Sequence, residues 1–149
     1  MKKISLPLII SLLIVLIWSC TNNKKESCSN DLNPNGDSEL ALLMRDMTAH
    51  LESEKKLVES GAEPSHLPEE FDKILTATPS DSKQRGEHFQ DFAKMYLDAL
   101  TAYHNSTKEN HSFAYNNLVK SCISCHENEC PGPIKRIQKL LVEEKKNIE

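Results

Sequence analysis

Apolar side chains at Leu40, Leu43, Met44, Met47, Leu51 and Val58 recur at three-, four- and seven-residue intervals, the spacing that lines one face of a helix. Gly61 and Pro64 close that stretch, because glycine accepts the left-handed conformation just past a helix and proline cannot continue one. A shorter stripe follows at Leu67, Phe71, Ile74 and Leu75, with Pro68 suited to a first turn and Pro79 lying beyond the end. Phe89, Phe92, Ala93, Tyr96, Leu100 and Tyr103 then mark one face of a long third helix, begun near Ser82 and left near Asn105. Ser106-Thr107-Lys108-Glu109 offers a capping box for a fourth, whose inward side carries Tyr115, Leu118, Val119, Cys122, Cys125 and His126.

Pro131-Gly132-Pro133 stops the fourth helix, and Ile134, Ile137, Leu140, Leu141 and Ile148 among many charges predict a further amphipathic helix. No stretch alternates apolar and polar residues as a half-buried strand does, and glycine numbers only four. The expectation is therefore all-α: a four-helix bundle over residues 38–130 with a helical extension over 131–149. Residues 20–37, rich in Asn, Ser, Lys and Asp around Asn33-Pro34-Asn35-Gly36, read as a flexible, disordered tether with nothing to bury.

The start of the chain changes the picture of where this bundle resides. Lys2 and Lys3 precede an apolar run from Ile4 to Trp18, followed at once by Ser19-Cys20 and a polar stretch, which predicts an export signal over residues 1–19. Ile17-Trp18-Ser19-Cys20 resembles the lipobox of bacterial lipoproteins, a resemblance confined to about the first 20 residues. It implies that Cys20 is lipidated and tethers the mature chain to a bacterial membrane, facing the periplasm. Thr21 in place of an aspartate favours the outer membrane by the same resemblance.

Charge excludes one class of partner. The chain carries 18 basic and 22 acidic side chains, and loss of Lys2 and Lys3 with the signal takes the formal net charge from −4 to −6, so nucleic acid is not expected as a ligand.

Cys122-Ile123-Ser124-Cys125-His126 carries the most specific chemistry. Two thiols separated by two residues, followed by an imidazole, is the pattern that attaches a c-type haem: each thiol forms a thioether with a vinyl group and the histidine binds iron from the proximal side. On a helix the three side chains project at about 0°, 300° and 40°, within one face. A zinc site using Cys122, Cys125, His126 and Cys130, and a thiol redox pair, are the competing readings. Of five cysteines, assigning Cys20 to lipid and two to haem leaves Cys28 and Cys130, an even remainder that suggests a disulfide in an exported chain.

A four-helix pattern with CxxCH on the last helix resembles the cytochrome c′ family, the class II c-type cytochromes, over roughly Ser38 to Glu129. The resemblance implies one haem c per chain and a first-helix residue over the distal haem face. Leu43-Met44-Arg45-Asp46-Met47 fits that stretch, with Met44 at the ligand position, Met47 as the alternative, and an open distal face as the third arrangement. Glu127-Asn128-Glu129 and the C-terminal extension depart from the family pattern. The other histidines, His50, His66, His88, His104 and His111, follow no ligand motif and are expected on exposed helix faces.

The function implied is electron carriage between redox partner proteins, without bond chemistry and hence without enzymatic activity. A binding protein for NO or CO with a five-coordinate iron is the alternative, and a zinc-stabilised interaction domain a lesser one. A homodimer stays open.

Overall fold

The computed structural model describes residues 37–144. They are helical without strands: α1 spans Glu39–Ser60, α2 Phe89–His104, α3 His111–Glu129 and the short α4 Ile134–Ile137. Single 3-10 stretches occupy Glu69–Leu75, Ser82–Gln84 and Gln138–Leu140. The signal segment, Cys20, Cys28 and the tether lie outside the described residues apart from Asp37.

Helix α1 has the limits its sequence predicts, because both are set by local chemistry. The Ser38 hydroxyl accepts from Ala41 N at 3.2 Å, and Gly61 takes φ 72°, where a side chain is strained. Leu40 N finds a further acceptor in Thr78 O at 2.9 Å, which ties the start of α1 to the segment after the first 3-10 stretch.

The second helix of the sequence reading is instead 3-10 over Glu69–Leu75. Its apolar spacing still works, since Phe71 and Ile74 are buried three residues apart, on one edge of a three-residue turn. Arg85 secures the end of this stretch: its guanidinium donates to the carbonyls of Ile74, Leu75 and Ala77 and lies 4.7 Å over the Phe89 ring. That placement also explains why α2 starts at Phe89 and not near Ser82, as the spacing had suggested.

The expected capping box at Ser106–Glu109 does not form. The Ser106 hydroxyl turns back to Tyr103 O at 2.6 Å, and α3 begins after Asn110 with no side-chain cap. The C-terminal helix is likewise cut short. Asn116 clamps Val142 from both sides, accepting from its N–H at 3.0 Å and donating to its carbonyl at 2.9 Å, while Lys55 Nζ donates to Lys139 O and Leu141 O. Those bonds hold the backbone out of helix after Leu140, and residues 145–149 lie outside the described span.

One core joins these elements. Leu43, Met47 and Leu51 from α1, Tyr96 and Leu100 from α2, and Tyr115, Leu118 and Val119 from α3 meet Phe71, Ile74, Ile137 and Leu140. Among the described residues no helix is long and apolar enough to cross a membrane.

Candidate functional site

Bonds between elements fix which ends lie together. Helices α2 and α3 form an antiparallel hairpin: the rings of Tyr103 and Tyr115 meet at 5.6 Å, and seven residues from each, in opposite directions along the chain, Tyr96 stands level with Cys122. Tyr115 OH donates to Leu51 O at 3.0 Å, and Gly86 N donates to Glu129 Oε2 at 2.7 Å. The start of α1, the Thr78–Gly86 segment and the end of α3 therefore share one end of the fold, with α1 antiparallel to α3. Seven residues back from Leu51 is Met44, and seven on from Tyr115 is Cys122, so these two occupy the same level about 10 Å from the Tyr115 bond. Met47 is a turn deeper.

At this end the three CxxCH side chains are half-buried in the last two turns of α3. His126 Nδ1 lies 2.8 Å from Cys130 O. A carbonyl only accepts, so Nδ1 carries the hydrogen and the neutral ring leaves a lone pair on Nε2. Burial lowers the pKa of His126, although the Cys130 bond opposes it, and so favours that neutral form. Cys130 N returns a bond to His126 O at 3.2 Å, and Pro131 follows immediately. The helix terminus thus folds back to orient the imidazole, a placement dictated by the stop signal.

The thiols are held protonated. Burial pushes Cys122 up to about 12, helped by Cys125, and pushes Cys125 up to about 11, helped by Glu129 and Cys130. Cys122 Sγ donates to Leu118 O at 3.5 Å. The end of a helix adds partial negative charge, the reverse of the surroundings that favour a thiolate. A thiol redox pair is therefore poorly served here. Among the described residues no three His, Cys, Asp or Glu side chains group to hold a metal ion, so Cys122, Cys125, His126 and Cys130 do not assemble the zinc set.

Met47 is in the core, 5 % exposed, whereas Met44 is only partly buried against it. Tyr96 is 2 % exposed, yet its hydroxyl has no hydrogen-bond partner. Cys130 is a half-buried free thiol, and its suggested partner Cys28 lies outside the described residues.

The opposite end holds what the sequence did not announce. Glu54 is fully buried and accepts from Tyr103 OH at 2.7 Å, Ser65 N at 3.3 Å and the Ser65 hydroxyl. His50 and His104 stack with ring centroids 5.8 Å apart, and the Nε2 atoms of both are buried without a hydrogen bond, that of His50 lying 4.0 Å from Glu54 Oε1. His50 and His104 are half-buried, whereas His111 is buried, bonded through Nε2 to Ser106 O at 3.0 Å. The expectation of exposed histidines thus holds for His66 and His88 and fails for these three. Their spacing on the core side of α1, α2 and α3 was the available signal, outweighed by the usual exposure of histidine.

A scan of protein-family models, a search of curated proteins and a search of solved structures found no match to this chain.

Proposed function

We propose that this protein is a membrane-tethered c-type cytochrome that carries electrons through one covalently bound haem. The observation that supports it most is the CxxCH triplet with His126 tied through Nδ1 to Cys130 O, which leaves Nε2 as the donor a proximal iron ligand needs. The donor set fits the group: two protonated thiols outside any disulfide, one imidazole with Nε2 unprotonated, and a methionine level with Cys122. Haem supplies the one-electron couple of its iron.

The residues supply the rest. Cys122 and Cys125 fix the group covalently, and His126 holds the proximal position while Cys130 keeps its ring from turning. Met44, at the level of Cys122 and only partly buried, is the better distal ligand, because Met47 is already engaged in core packing. A thioether is a neutral, soft ligand that raises the reduction potential and keeps the iron low-spin in both states. The helices limit rearrangement as charge changes, and a redox partner protein approaches at the half-buried end of α3. A four-helix bundle of cytochrome c′ type belongs to this reading, with Glu69–Leu75 standing as its second, 3-10 member. So do a lipidated Cys20, an exported chain facing the periplasm, preferably on the outer membrane, and a Cys28–Cys130 disulfide.

Visible absorption and mass of the exported, purified protein test it. A low-spin spectrum with haem retained on the Cys122–His126 peptide after acid extraction is expected. A high-spin centre that binds CO readily replaces the carrier with the NO/CO-binding alternative, and a peptide of unshifted mass removes haem altogether.

A further inference from the structure

Resting on the haem reading, we infer that Tyr96 is a positioning residue of that site, whose hydroxyl donates a hydrogen bond to the Cys122 sulfur once that sulfur has become a thioether. Tyr96 is buried in the core, and its hydroxyl is the one phenol of the three in α2 and α3 without an acceptor. Tyr103 donates to Glu54 and Tyr115 donates to Leu51 O. A buried hydroxyl left unpaired is costly, so it marks a place where an acceptor arrives later.

The acceptor is identified by position and by a change in its chemistry. Tyr96 and Cys122 stand at one level of the α2–α3 hairpin, close enough that, after burial, the penalty for ionising both raises the Tyr96 pKa. Before attachment Cys122 is itself a donor, spending its hydrogen on Leu118 O. On attachment the S–H adds across a vinyl double bond: sulfur bonds the inner carbon, the hydrogen goes to the outer carbon, and no electron is gained or lost. Sulfur then has lone pairs and no hydrogen, so it can only accept. Tyr96, with its pKa raised, stays protonated, so its hydroxyl keeps a hydrogen to donate to that sulfur. A bond drawn from sulfur in this way withdraws electron density from the macrocycle and favours the ferrous state.

The experiment uses the holoprotein, with haem attachment verified by mass. Resonance Raman spectra in H2O and D2O should show a C–S stretching mode that shifts on deuteration, and Tyr96→Phe should abolish the shift and lower the midpoint potential. Tyr103→Phe, whose hydroxyl serves Glu54, should leave the mode and its deuterium shift unchanged. Because the Tyr96 hydroxyl bonds nothing among the described residues, Tyr96→Phe should keep its helical circular dichroism. A C–S mode indifferent to D2O in the unmodified protein overturns the inference, as does a Tyr96→Phe variant whose potential moves while the mode does not. Both leave the cytochrome intact, whereas a protein without covalent haem overturns the haem reading and this bond with it.

Discussion

The two ends of the fold surround half-buried histidine with different partners. At the end where α3 stops, His126 has its Nδ1 committed to a neighbouring carbonyl, and the thiols beside it are protonated and lightly bonded. At the other end, Glu54 is saturated by three donors and binds residues of α1, α2 and the Gly61–Leu67 crossing into one polar knot, with His50 and His104 packed against it. The first arrangement leaves sulfur and a ring lone pair open, and the second closes the Glu54 carboxylate while leaving the His50 and His104 Nε2 atoms without a hydrogen bond. A site that takes up a group must keep donors unspent, while a structural knot is stable in proportion to how few remain.

Changes at the open end should therefore read out in cofactor, and changes at the closed end in stability. The largest effect expected is that of Cys122→Ser with Cys125→Ser, or of His126→Ala: covalent haem lost or reduced to traces, checked by mass and by absorption of the exported protein. Glu54→Ala should leave haem chemistry unchanged and cost about 3 to 5 kcal/mol in urea unfolding, since it strands Tyr103 and Ser65 and opens a buried space. Within α1 the contrast narrows to one turn. Met47→Ala is expected to cost about 2 to 5 kcal/mol with the spin state kept, and Met44→Ala much less, while turning the iron high-spin and open to CO.

Acid sharpens the comparison. Burial lowers the pKa of His50 and of His104 below 6.5, with Glu54 opposing it, so folding favours their neutral forms. Their contribution is full above 6.5 and is lost as pH falls from 6.5 toward the lowered folded values. His126 adds the same loss in the haem-free chain, whereas iron on Nε2 removes that titration from the holoprotein. Stability curves of the two forms should accordingly diverge between neutral pH and the mid-acid range, and His50→Phe with His104→Phe should flatten what remains. The smallest effect belongs outside both ends: Arg136→Ala breaks an exposed pair with Glu52 and should change stability by no more than about 1 kcal/mol.

The legibility of the chain follows the range of the forces involved. Ser38, Gly61 and the CxxCH spacing act within a turn of themselves, so α1 and the thiol–imidazole face could be read directly. The Glu69–Leu75 stretch kept its apolar spacing but not its helix type, because Arg85 and Thr78 set its surroundings from farther along the chain. The enclosure of His50, His104 and His111 was signalled only by their core-side spacing, because what makes it tolerable is Glu54, Tyr103 and Ser106 carbonyl chemistry assembled from three separate segments. The C-terminal helix failed on Asn116, a residue whose type says nothing of the backbone it grips.

That grip carries a consequence for the order of events during biogenesis. Residues Ile137 to Val142 complete the core and bind Lys55 and Asn116, yet they follow Cys125 in the chain, so a polypeptide emerging N-terminus first presents its thiols before the last layer exists to cover them. Contacts this distant in sequence are slow to close. Under the proposed haem reading, the delay would give an attachment enzyme an interval in which to reach Cys122 and Cys125, and an early-arriving C-terminal strap would shut that interval.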